Sequence, residues 1–130
     1  MIPISEHLRK MPPAVRPIVQ SARRMVKEVA PRAKEVTYNS RPPRSSRAMW
    51  KLVRYAVEDE YPVAIGTFPT YAVLFFSRGS ELDDGSGLLE GSGKDFRFVR
   101  LRTPEDAGRP PVRRVLRRAF ALVTAQGKKN

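Results

Sequence analysis

The chain contains no cysteine. That absence removes disulfides, thiolate metal sites and cysteine nucleophiles together, and it fits a reducing, cytoplasmic setting. Histidine is nearly missing as well, His7 being the only one. A Ser–His–Asp triad or a histidine-rich metal site would have to be built on that residue, which falls in a proline-punctuated arm at residues 1–13. Long hydrophobic runs are also absent. The longest, residues 71–76, has the length of a strand, far short of the ~20 apolar residues that span a bilayer, so no membrane span is expected. Residues 1–11 lack the apolar stretch of a signal peptide, with Glu6 and His7 interrupting them. Acidic residues are scarce: 13 stand against 25 Lys and Arg, for a net charge of +12. None follows Asp106. Such a surplus permits attraction to anionic partners, nucleic acid or an acidic protein among them.

What is present reads as one α+β domain over residues 1–130, with 41% hydrophobic residues to build its core. Val15, Ile18, Val19, Ala22, Val26 and Val29 fall at helical spacing, and Pro17 fits only the first turn of that helix. The helix therefore starts near Val15 and stops before Pro31, with Arg16, Gln20, Arg23, Arg24 and Lys27 outward. Extended pieces follow at residues 35–38, 48–56, 63–68, 71–76 and 96–102. In the second, Trp50 and Leu52 should face one side and Lys51, Val53 and Tyr55 the other. In the last, Val99 and Leu101 should oppose Phe98 and Arg100. Trp50 and the strand aromatics are assigned to the core. Residues 79–94 form a glycine-rich loop. After Pro110 and Pro111 a final helix carries Val112, Val115, Leu116, Ala119, Leu122 and Val123 on one stripe, with a frayed tail at residues 127–130. The expected architecture is an antiparallel sheet with the N-terminal and C-terminal helices packed on one face.

The glycine-rich loop invites a phosphate-loop reading, which fails. A Walker loop needs glycine where Leu88 stands and Ser or Thr where Asp95 stands, and it opens a helix, whereas a strand follows here. Glu81, Asp83, Asp84, Glu90 and Asp95 do not follow a calcium-loop spacing. Asp84 and Glu90 are retained only as weak carboxylate candidates for a hard cation, and no metal or cofactor is expected. Glu35 and Glu90 as general acid or base have no supporting spacing.

Phe76, Arg78-Gly79, Glu81-Leu82, Asp84, Gly87-Leu88-Leu89-Glu90-Gly91, Gly93-Lys94 and Arg97-Phe98-Val99-Arg100 resemble the signature of the YdhG-like family, domain of unknown function 1801. Pro31, Ala33 and Glu35-Val36-Thr37-Tyr38 resemble the family's segment after its first helix, so the resemblance covers residues 12–123. Two positions depart from it: Gly85 stands where the family has proline, and Phe98 where it has histidine. The resemblance implies a frataxin-like fold, and for some members iron delivery. A metal or proton-transfer role resting on that histidine does not carry over. The basic outward face of the first helix also argues against collecting a cation.

These observations give one leading expectation and two alternatives. The leading one is a non-catalytic binding module with a basic surface for an anionic ligand or macromolecule. Its polyanion surface would be the ridge of Arg113, Arg114, Arg117 and Arg118. A smaller anion pocket would gather Arg78, Glu90, Lys94, Arg97 and Arg100, although the same residues also suit a purely structural loop pinned by Leu88 and Leu89. The alternatives are a frataxin-like iron-binding protein and an enzyme on a small anionic metabolite.

Overall fold

In the computed structural model, which describes residues 2–127, five antiparallel strands run in the order β1-β2-β3-β4-β5 across one sheet. They are β1 (Lys34–Thr37), β2 (Trp50–Val57), β3 (Glu60–Thr67), β4 (Ala72–Phe76) and β5 (Arg97–Leu101). Helices α2 (Arg16–Val29) and α4 (Pro110–Gly127) touch each other and cover the same face of the sheet. The α+β architecture is therefore as the sequence predicts. Lys128 to Asn130, expected to fray, lie outside the described residues.

One core fills the space between helices and sheet. Ile18, Val19, Ala22 and Val26 of α2 and Val112, Val115, Leu116 and Ala119 of α4 meet Val63, Ile65, Leu74, Phe76, Val99 and Leu101. Phe120, outside the expected stripe, joins them. At ~25 cal/mol per Å² this burial is the main stabilising term.

Three expectations are corrected. Residues 1–13 are not a free arm, because α1 (Ile4–Lys10) docks on the sheet. Ile4, His7, Leu8 and Met11 recur at helical spacing, and the polar His7 within that stripe hides the pattern. His7 is buried, its Nε2 2.9 Å from the carbonyl of Tyr38 and its ring edge-on to Trp50 at 5.2 Å. Arg16 does not face outward either, since it donates to the carbonyls of Leu8 and Met11 and so ties α1 to α2.

The second correction concerns β2. Val53 and Tyr55 lie in the core together with Trp50 and Leu52, because the pairing with β3 shifts register between Lys51 and Val53. A bulge there inserts one residue and reverses the alternation beyond it. The third concerns the glycine-rich segment, whose beginning is a one-turn helix, α3 (Gly79–Leu82). Beyond it Leu89 is buried and Leu88 packs partly on the core, while Glu90 makes an isolated bridge to Phe98.

Candidate functional site: the open face of the sheet

The three arginines of the expected anion pocket each face a carboxylate. Arg78 forms a two-pronged pair with Glu81 at 2.6 and 2.7 Å, which holds that carboxyl below its usual range. Arg97 pairs with Asp83 at 3.5 Å and donates to the carbonyls of Gly93 and Phe96. Arg100 lies 3.3 Å from Glu90. Lys94 is exposed. The three arginines hold the loop together, so the structural role of the segment accounts for their positions.

The carboxylate candidates are likewise engaged. Asp84 accepts from the amide of Ser86, and hydrogen bonds from Ser86 lower its pKa. Glu90 faces Arg100. Among the described residues no group of three or more His, Asp or Glu side chains is placed to hold a metal ion.

The helical ridge is partly occupied too. Arg118 donates to the carbonyl of Leu82 at 3.1 Å, closing α3, and its charge helps to lower the pKa of Asp84. Arg114 and Arg118 border a cleft of about 600 Å³ with Asp84, Leu88 and Val115. Arg113 is half-buried, and Arg114 and Arg117 are exposed.

A second cluster of charges lies where α2 meets β1. Arg23 grips Glu35 through two bonds of 2.8 and 3.1 Å, and the Tyr55 hydroxyl donates to the same carboxylate at 2.6 Å. Burial works to raise the pKa of Glu35, but the bonds from Arg23 and Tyr55 outweigh it and hold the carboxyl below its usual range. Burial and the bond to Glu35 push the Tyr55 phenol far up. Arg23 is thus committed to the fold, leaving Arg24 and Lys27 on the rim of a cleft of about 410 Å³.

The face opposite the helices is different in kind. Lys51 pairs with Gly66, Arg54 with Ala64, Phe75 with Phe98 and Val73 with Arg100. Apart from Gly66, which has none, each of these side chains alternates with a core residue and so points away from α2 and α4. The aromatics gather here rather than in the core. Tyr38, Tyr61, Tyr71, Phe75, Phe96 and Phe98 lie on or beside this face, out of four tyrosines and six phenylalanines in the chain. Phe96 is 55% exposed and Tyr61 40%. The Phe75 and Phe98 rings lie parallel within 8° at 6.2 Å, and Phe96 leans on Phe75 at 5.3 Å.

Arginines interleave with these rings. The Arg54 guanidinium sits 3.9 Å from the Tyr61 ring centroid and 5.2 Å from that of Tyr38. Arg100 lies over Phe98 and Tyr71, and Arg102 over Tyr71. Arg54 makes no salt bridge among the described residues. Its buried Nε has no hydrogen-bond partner among them either. Beside it a trough of about 360 Å³ is bordered by Met49, Lys51, Tyr61, Phe75 and Phe96, with no carboxylate in its lining.

The sequence places the strand aromatics in the core, which holds for Trp50, Tyr55 and Phe76 and is corrected here for Tyr38, Phe68, Tyr71, Phe75, Phe96 and Phe98. A signal was available: Phe98 and Arg100 alternate with Val99 and Leu101, and a sheet covered on one side must leave one of those sets outside. No family model matches the chain, and neither does any curated protein or solved structure.

Proposed function

We propose that this chain is a nucleic-acid-binding module whose ligand lies across the open face of the sheet, a role that needs no catalysis. The observation that carries this reading is Arg54, its guanidinium over the rings of Tyr38 and Tyr61 with no carboxylate among the described residues to neutralise it. A guanidinium fixed by flanking rings keeps its edge donors for a phosphate and gives up little side-chain freedom on binding. Lys51 and Arg102 extend the positive charge over the same face, and the net charge of +12 favours a polyanion at long range. The helical ridge of Arg113, Arg114 and Arg117 becomes an auxiliary surface.

Membership of the YdhG-like family belongs to the same proposal. The signature residues support it as a motif that specifies the fold: Leu89 enters the core, Glu90 bridges to Phe98, and Gly79 packs against Arg97. Phe98 itself, in place of the signature's histidine, adds a ring to the open face. A cytoplasmic setting is supported by the absence of cysteine. No helix among the described residues is long and apolar enough to cross a membrane.

Amide chemical-shift mapping with a short single-stranded oligonucleotide tests the reading. Resonances of β2, β4 and β5, Arg54 and Phe98 among them, should move. Perturbations confined to α4 would sink the sheet-face assignment.

A further inference from the structure

We infer that the open face takes a single strand in preference to a duplex, with one base seated in the trough between Tyr61 and Phe96. The inference rests on the nucleic-acid reading above and specifies its ligand. The trough, about 360 Å³, lies at the small end of the range of ligand pockets (~300–1,000 Å³), which suits one planar heterocycle with its sugar.

Its floor is formed where a side chain is missing. A Cβ on Gly66 would stand 2.7 Å from the Met49 sulfur, so the thioether lies across the sheet in the space that a larger residue at 66 would make it leave. The thioether gives the floor a polarisable surface suited to an aromatic ring. Tyr61 and the Phe75–Phe96 pair border it, and Phe96 stands 55% exposed. Lys51 and Arg54 border the same depression. Two ligand features are therefore accommodated together: an apolar planar ring and a negative charge attached close to it.

A duplex offers only the second of these to such a surface, because its bases are stacked inside and its phosphates line the outside. A single strand can turn a base out and stack it on exposed rings while its backbone meets the cations. Every base has a π-face, so the trough should tolerate different sequences.

The test is a fluorescence-anisotropy titration of a short labelled oligothymidylate, its duplex with oligoadenylate, and an abasic strand of equal length and charge. Wild type, Phe96→Ala and Tyr61→Ala are compared at low and at physiological salt. The thymidine strand should bind at least ~5-fold tighter than the abasic strand, the lower end of what one stacked base contributes. Phe96→Ala, a change at an exposed site, should remove most of that difference. If abasic strand and duplex bind as tightly as the thymidine strand, the inference falls while the nucleic-acid reading stands. If none of the three binds even at low salt, the nucleic-acid reading falls with it. A concentration-dependent dimer abolished by Phe96→Ala, without oligonucleotide binding, would assign the face to a second copy of the chain and overturn both.

Discussion

Gly79 lies against the backbone of Arg97 so closely that a Cβ there would stand 2.5 Å from the Arg97 nitrogen and 2.3 Å from its Cβ. The start of α3 is thereby pressed onto β5, and Ser80 donates to the carbonyl of Asp95 beside it. Backbone cannot retreat as a flexible side chain can. Gly79→Ala should therefore destabilise the fold by about 1–3 kcal/mol, the usual cost of overpacking. Gly93 meets nothing within 4 Å of its would-be Cβ, so Gly93→Ala is the matched control and should be near neutral. Urea midpoints compare them, and equal midpoints would refute the close-packing argument.

Leu88 and Leu89 separate in the same segment. Leu89 is 9% exposed within the core, whereas Leu88 only borders it. Leu89→Ala should cost on the order of 2–4 kcal/mol and Leu88→Ala distinctly less. The reverse order in denaturant titration would mean that the loop is pinned differently.

The docking of α1 depends on His7. His7→Ala would empty a buried site against Trp50 and leave the Tyr38 carbonyl unpaired, costing about 2–4 kcal/mol in all. Trp50 is the only tryptophan, so its fluorescence reports on this contact directly. An unchanged emission spectrum and an unchanged unfolding midpoint would together show that α1 contributes nothing to the fold.

Glu35 links stability to pH. Its folded pKa lies below the ordinary value of 4.5, so its contribution is complete above that value and is lost as pH falls through the lower folded one. Arg23→Met removes the strongest partner and leaves burial, which acts in the opposite direction. The carboxyl should then titrate at higher pH, as followed by ¹³C NMR of the Glu35 side chain. A titration curve unchanged by Arg23→Met would show that the pair is not what holds the carboxyl down.

Much of this fold can be read from periodicity. The stripes of α2 and α4 and the alternation of β5 each present one apolar face at the spacing of their element. The misreadings share a physical cause: each depends on contacts between segments distant in the chain. His7 counts as polar until Trp50 and Tyr38 surround it. The bulge at Leu52 is a property of the pairing of β2 with β3. The aromatic side chains of β4 and β5 are apolar by composition, and only the placement of both long helices on one side leaves them uncovered. A pair such as Arg97 with Asp83 looks like part of a ligand site in sequence because the neutralising partner is assigned only on folding.

Salt dependence distinguishes the sheet face from the helical ridge. Each phosphate neutralised on a single strand contributes about −0.7 to the slope of log affinity against log salt. The side chains of Lys51, Arg54 and Arg102 form no salt bridge among the described residues, while Arg100 is partly engaged by Glu90. Replacing Lys51, Arg54 and Arg102 by serine should therefore flatten the slope by roughly two units. For the ridge, Arg118 must be left in place, since it holds the Leu82 carbonyl and its loss would disturb α3. Arg113→Ser, Arg114→Ser and Arg117→Ser together should change the slope by less than about 0.7, one phosphate contact. Circular dichroism establishes that both triple variants are folded before their slopes are compared. If the ridge variant loses the larger share, the strand runs along α4, and the aromatic face of the sheet is not its binding surface.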